Sequence, residues 1–263
     1  MDYLNYGKKV QQQSQPQKSQ PQGFGFDKDV QPTGEDFSFG DLKQQTTQPQ
    51  VAPQIKDDLI QLFPTPLLVC PCPFEYGREL EWIKKQSCGR KNSKDIVKAL
   101  NRQSEDTFIL DKPELSRVRQ FIEFKLKEFV VNIMGSDSEM VITQSWLNRN
   151  SKGESHHEHK HPNSMISGVW YPQINEDLPP IQFRTREQRD VSLPTKQYNM
   201  FNSATFLLPM RRGELILFQS NLQHSVPINE SNEERISLSF NTWAKGNLGG
   251  KRELTYLPLD RCV

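Results

Sequence analysis

The sequence predicts an α+β fold in which supporting helices come first and a β-sandwich or jelly-roll core follows, behind a disordered Gln/Pro-rich tail. Three observations predict it. Residues 1–57 carry thirteen Gln with Pro and Ser between them, as in QQQSQPQKSQPQ. Between Asp111 and Gly135 the apolar residues recur with a helical period. After Gly135 the chain turns into short β-branched or aromatic segments divided by Pro, Asn, Gly and charged turns, the spacing of a sandwich or barrel.

The tail cannot bury enough apolar area to offset roughly 1–2 kcal/mol of backbone entropy per residue, so residues 1–57 are expected to be disordered. Two aromatic islands interrupt it, Phe24-Gly25-Phe26 and Phe37-Ser38-Phe39. They read either as docking motifs for a protein partner or as scattered apolar residues in a tail. Residues 58–263 are the expected folded domain, and about 205 residues suffice for one sizeable core. The domain opens on LFPTPLLVCPCPF, an apolar strand-like run that ends in Pro-interrupted turns. Glu75 to about Ser87 reads as a helix. The next helix is the clearest element: Leu115, Val118, Ile122, Phe129 and Ile133 keep one face, widened by Phe121, Leu126 and Val130. Asp111 with Glu114 supplies a capping box and Gly135 a stop. The strands follow as MVITQSWLN, SMISGVWYP, PIQF, SATFLLP, GELILF and RISLSFNTW, within a set of roughly eight.

Composition removes several function classes. The 33 Lys+Arg and 32 Asp+Glu leave a formal net charge of +1, which speaks against a strongly basic nucleic-acid binder and against an acidic solvating chain. Four cysteines (Cys70, Cys72, Cys88, Cys262) form no C-x-x-C pair and fit reduced thiols in a cytoplasmic setting. Cys70-Pro-Cys72 reads as packing. No apolar run approaches the ~18 residues of a membrane span, and the start MDYLNYGKKVQQQSQ lacks the apolar core of a signal peptide.

Histidine usage points to chemistry. Four of the five histidines, His156, His157, His159 and His161, fall within six residues, and the fifth is His224. Three metal motifs can be laid on this cluster. The first, H-E-x-x-H, is matched by His157, Glu158 and His161, but it needs a helix, and Gly153, Pro162 and the lack of an apolar face deny one. The second, the cupin pattern G-x5-H-x-H, is matched by Gly153, His159 and His161. It then wants a Glu where Met165 and Ile166 stand, and a His about three residues after its second Gly, whereas His224 comes eleven after Gly213. The third is H-x-[D/E/H], a distant single His, then R-x-S. On an extended chain residues i and i+2 share a face, so His159 and His161 can face one metal. His224 follows sixty-three residues after His161, and Arg235-Ile236-Ser237 stands eleven further on. An Arg there would point into the barrel, where a small dicarboxylate needs a fork-shaped cation. Three facial ligands with open positions is the geometry of a non-haem iron oxygenase site.

From about Phe63 to Leu259 the chain resembles the 2-oxoglutarate- and Fe(II)-dependent oxygenases, in the phage and bacterial branch with an H-x-H…H metal motif. The residues that carry the resemblance are SWLN at 145–148, HKHPNSMISGVWY at 159–171, GELILFQSNLQHSVP at 213–227 and ERISLSFNTWAKGNLG at 234–249. It implies a double-stranded β-helix (jelly-roll) fold, Fe(II) and 2-oxoglutarate. It also implies His159, His161 and His224 as metal ligands, and Arg235 and Ser237 as the pair on the 5-carboxylate of 2-oxoglutarate. Tyr171 falls where prolyl-hydroxylase relatives place a tyrosine against that carboxylate, and Gly213 matches the turn into the strand before the distal His. His161 departs from the Asp or Glu that most members carry, which leaves a ferrous site about one charge more positive. The implied activity is a dioxygenase reaction, hydroxylation of an unidentified substrate such as a prolyl or other protein side chain, in the cytoplasm, the host's if phage-encoded.

The remaining candidates read more plainly. His156 and His157 are loop residues, Glu158 points away from His159 and His161, and Trp146, Trp170 and Trp243 are core. RTREQRD at 184–190 is a solvated loop. Two other functions remain open: a cupin-type metalloenzyme that does not use 2-oxoglutarate, and a non-catalytic jelly-roll module acting through its tail.

Overall fold

Alternation along the strands decides the architecture. The computed structural model describes residues 62–90, 101–185 and 193–259. In β11 (Arg235–Ala244), Ile236, Leu238 and Phe240 alternate with Arg235, Ser237 and Ser239, so one face is apolar and the other polar. β4 (Met140–Asn150) likewise sets Leu147 against Trp146 and Asn148, while β6 (Ile166–Gln173) and β9 (Glu214–Gln219) are apolar on both faces. With β1 (Leu67–Pro71), β2 (Cys88–Arg90) and β3 (Arg102–Ser104) they form a seven-stranded antiparallel sheet in the order β1-β9-β6-β11-β4-β3-β2. β5 (His156–His159), β7 (Ile181–Arg184), β8 (Thr205–Leu208) and β10 (Gln223–Val226) form a second antiparallel sheet in the order β5-β10-β7-β8.

One face of the large sheet is covered by α2 (Ser116–Asn132). Leu115, Val118, Phe121, Ile122, Leu126, Phe129 and Val130 pack with Leu147, Trp170, Leu217, Leu238 and Phe240 in one apolar cluster. Each such side chain, fully buried, contributes roughly 1.5–3 kcal/mol. Residues of the other face, Val169, Tyr171, Ile216 and Phe218, cluster with Ile181 and Phe183 of the small sheet, so a second core lies between the sheets. Where β4 and β11 pair, that inner face turns polar: Asn148, Asn150, Arg235, Ser237 and Ser239 are all buried. Gly213 enters β9 at φ +87, a left-handed turn that suits glycine; its carbonyl accepts from Trp170 Nε1 at 3.1 Å.

The structure corrects several expectations. The tail, residues 1–57, and Cys262 lie outside the described residues, as does most of the 184–190 block. The first helix is shorter than expected, α1 (Gly77–Lys84), and Arg149 Nη2 closes it by donating to the carbonyls of Ile83 (3.0 Å), Lys84 (2.8 Å) and Gln86 (3.1 Å). The capping box does not form. Pro113 starts a separate 3-10 turn (Pro113–Leu115), α2 begins at Ser116 without a side-chain cap, and Asp111 accepts a hydrogen bond from Arg119. Gly135 does end the helix, at φ +64, but Ile133 is its exposed C-cap and not part of the buried face. Strands β2, β3 and β5 carry no strong apolar alternation and were not expected. Cys70 is buried, with its thiol pushed up to about 11 by burial, and Cys72 packs beside the same core, so the pair is packing. Among the described residues no helix is long and apolar enough to cross a membrane.

Gly168 shows how tightly α2 and the sheet are fitted. A Cβ at this position would stand 2.2 Å from Cζ of Phe240 and 2.8 Å from Cδ2 of Leu217. Gly168→Ala should therefore lower the urea midpoint by the equivalent of about 1–3 kcal/mol with an unchanged slope. A midpoint equal to that of the unsubstituted protein would contradict this packing.

Candidate metal centre

Two strands, β5 and β10, bring the histidines together. His224 of β10 pairs in register with His159 of β5, and His161, just beyond β5, is held by its backbone N–H donating to the Ser220 carbonyl at 2.9 Å. One ligand atom from each of His159, His161 and His224 falls within 4.8 Å of the others. The other ring nitrogen of each faces a carbonyl oxygen. Nδ1 of His159 donates to His157 O (2.8 Å), Nδ1 of His161 to Asn241 Oδ1 (2.6 Å), and Nδ1 of His224 to Leu222 O (3.0 Å). Asn241 Oδ1 also accepts from Ser167 Oγ at 3.0 Å, which fixes the amide's orientation. Oxygen acceptors on Nδ1 place each proton there and leave each Nε2 with a free lone pair.

Two of those lone pairs oppose one another, since His161 Nε2 and His224 Nε2 are 3.2 Å apart. Two ligands ~2.0–2.1 Å from one ion and ~90–110° apart stand roughly 3.0–3.4 Å from each other, so the spacing fits a shared cation. Burial, reinforced by neighbouring histidines, pulls His161 down to about 4 and His224 to about 3, and burial lowers His159 as well. Neutral imidazole is the metal-binding form.

Sequence parity missed His156. Two steps along β10, from His224 to Val226, are matched by three along β5, from His159 back to His156. The extra residue is a β-bulge, and it turns both His156 and His159 inward where regular alternation would set them on opposite faces. His156 is therefore a strand residue on the pocket wall, its ring stacked 4.4 Å from that of His159, and not a loop residue. His157 is exposed. Glu158 does face outward, where Arg184 and Gln223 donate to its carboxylate. The H-E-x-x-H reading fails here, because these residues form a strand and the Glu faces away. The cupin reading lacks its acidic ligand, since among the described residues the cluster holds three histidines and no carboxylate.

The pocket, about 320 Å³ counting its open mouth, runs from the three imidazoles to Arg235. Arg235 is 2% exposed; Nε donates to Pro179 O at 3.1 Å, and Nη1 to Ser237 Oγ at 3.3 Å and Asn150 Oδ1 at 3.5 Å. None of these partners is anionic, and among the described residues no carboxylate pairs with it. Burial pulls its guanidinium below the ordinary value, yet arginine keeps its proton. Arg235 and Ser237 thus share the inner face, as expected, while Ile236 lies in the core against α2. Tyr171 packs its ring 5.1 Å from the guanidinium carbon; burial raises its hydroxyl to about 12 against the opposing pull of Arg235, and among the described residues that hydroxyl has no acceptor.

Trp146 corrects another expectation. Trp170 is core, but Trp146 lines the pocket, stacked 5.7 Å from the His161 ring, with its indole Nε1 buried and unpartnered. Asn148 and Ser239 also line the pocket and were missed, although the alternation of β4 and β11 puts them on the same face as Trp146 and Arg235.

Residues 144–241 match the family model described as "Putative 2OG-Fe(II) oxygenase". The match contains His159, His161 and His224 together with Arg235 and Ser237. Solved structures similar to the chain include a 2OG-Fe(II) oxygenase family oxidoreductase from Burkholderia pseudomallei (14% identity, 67% of this chain and 83% of that one, TM-score 0.46). They also include HygX from Streptomyces hygroscopicus with nickel and 2-oxoglutarate bound (12%, 69% and 84%, TM-score 0.48). A third is a Pseudomonas putida prolyl-4-hydroxylase (11%, 67% and 92%, TM-score 0.46). The chain matches no curated protein.

The depressed histidines have a measurable consequence. In the unfolded chain they titrate near ~6.5, so below that pH the unfolded state binds protons that the folded state refuses. Stability of the metal-free protein is then full above about 6.5 and falls as pH drops toward 4 and 3, the folded values of His161 and His224. Urea unfolding of metal-free protein should give a lower stability at about pH 5 than at about pH 7.5, with part of the difference removed by His224→Asn. Equal pH dependence in the two proteins would show that His224 is not held neutral by the fold.

Proposed function

We propose that the protein is a 2-oxoglutarate- and Fe(II)-dependent oxygenase that hydroxylates its substrate on a double-stranded β-helix (jelly-roll) framework. The strand order supports the framework, because β4, β6, β9 and β11 alternate in sequence with strands of the facing small sheet. One observation carries the activity. A single pocket holds three convergent neutral imidazoles at one end and a buried guanidinium without an anion at the other.

His159, His161 and His224 would hold the iron on one face and leave positions open. Arg235, Ser237 and the Tyr171 hydroxyl would hold the far carboxylate of 2-oxoglutarate, which supplies the anion the guanidinium lacks and the acceptor the phenol lacks. With both bound, the site supplies oxidative decarboxylation: the keto acid and O₂ yield succinate and CO₂ while one oxygen atom enters a substrate C–H bond. The chain's own part is orientation and dryness. Asn241 Oδ1 and the backbone carbonyls of His157 and Leu222 fix the imidazole tautomers, and Val169, Ile181 and Val226 line the pocket between its ends with apolar surface.

The test is iron- and 2-oxoglutarate-dependent release of succinate. Arg235→Ala should weaken 2-oxoglutarate binding by ~30-fold or more, the loss of a buried charge-assisted contact, while iron binding stays as it was. His224→Ala should abolish iron binding and leave the circular dichroism of the fold in place. An Arg235→Ala protein with unaltered dependence on 2-oxoglutarate would remove the co-substrate from this reading.

A further inference from the structure

The small sheet orders the pocket into three rungs. On the first, His224 of β10 pairs with Phe183 of β7 and with His159 of β5. Two residues along β10 and β7, and three along the bulged β5, comes the second rung, where Val226 pairs with His156 and Ile181 lies alongside on β7; all three line the pocket. Two residues further along the chain leading into β7 is Pro179, whose carbonyl receives Arg235 Nε at 3.1 Å. His156 therefore stands on the rung between the metal-binding imidazoles and the Pro179 carbonyl that receives the guanidinium, with its ring reaching back to His159.

The chemistry of that position is specific. Its wall partners Val226 and Ile181 offer no polar atom from their side chains, so the imidazole is the polar group of its rung. The ring of His156 stacks on His159 at 4.4 Å and 27°, so its face is turned to His159 while the residue lines the pocket. Nor does it belong to the group of nitrogens that converge on one ion. A neutral imidazole carries one N–H donor. A 2-oxo acid with its far carboxylate on Arg235 carries its second carboxylate toward the metal, and an oxygen of that carboxylate not taken by the metal needs a donor.

We propose that His156, turned inward by the bulge in β5, is a co-substrate-binding residue that donates a hydrogen bond to the metal-proximal carboxylate of the 2-oxo acid. This rests on the reading of the site as one for 2-oxoglutarate. It assigns the two ends of the co-substrate to different residues, Arg235 for the distal carboxylate and His156 for the proximal one, and so predicts that they discriminate between ligands.

The experiment is isothermal titration of the iron-loaded full chain, without oxygen, by 2-oxoglutarate and by 2-oxopentanoate, which keeps the keto acid and lacks the distal carboxylate. His156→Phe keeps a ring stacked on His159 and removes both nitrogens. It should weaken both ligands alike, by roughly tenfold to a hundredfold for one hydrogen bond to a charged group, with iron affinity unchanged. Arg235→Ala should weaken 2-oxoglutarate alone. If the Phe variant does not fold, His156→Leu carries the same comparison. The inference is overturned if the variant binds both ligands as the unsubstituted protein does, if it weakens 2-oxoglutarate only, or if it loses iron. An unsubstituted protein that binds iron and neither keto acid overturns the underlying reading, and this inference with it.

Discussion

The pocket carries two electrostatic demands that the described residues do not satisfy. At one end, lone pairs of neutral imidazoles oppose one another at 3.2 Å. At the other, a guanidinium that is 2% exposed meets neutral oxygens and, among the described residues, no carboxylate. Burying an unpaired charge costs several kcal/mol, so such a residue persists where a ligand answers it or where function outweighs stability. Much of the fold serves to hold these two features on facing walls. Because β11 is apolar on the α2 side, Arg235 can be fixed on a central strand without exposing it, and because β10 lies between β5 and β7, His224 can meet the ligands of β5.

The legible part of this site was the part governed by strict alternation. Arg235 and Ser237 sit at i and i+2 on β11, and the alternation of an extended chain places the pair on one face; His159 and His161 share the same spacing and converge, although His161 lies just beyond β5. The illegible part was where alternation breaks. Nothing in the local composition of HHEH announces a bulge, since this one arises from pairing with β10, where His159 meets His224 and His156 meets Val226, 65 and 70 residues on in sequence. Trp146 was misread for a related reason. A tryptophan in a strand is core by composition, and only the knowledge that the inner face of β4 borders the pocket sets it beside His161.

The helical half was legible in its faces and not in its ends. The apolar stripe of α2 depends on period alone and appears as expected, from Val118 to Val130. Its start does not, because Pro113 diverts the chain into a 3-10 turn before the helix, and tertiary contact with Leu147 and Phe240 stabilises Leu115 and the first turn without a polar cap. Strands β2 and β3 show the same limit: three residues each, paired at the sheet margin, they carry too little pattern to be read alone.

Arg149 ties these halves together. Its guanidinium holds the end of α1 and also pairs with Glu234, which accepts from Arg102 of β3 as well. Glu234 is the residue immediately before Arg235, and Arg149 lies between Asn148 and Asn150 on β4. The start of β11 is thus moored by two arginines through Glu234 at the place where strand ends ordinarily fray. In the language of hydrogen exchange, the amides of Arg235 and Ile236 should open with the core and not with the margins, so the charge at the foot of the pocket stands on a tethered strand end.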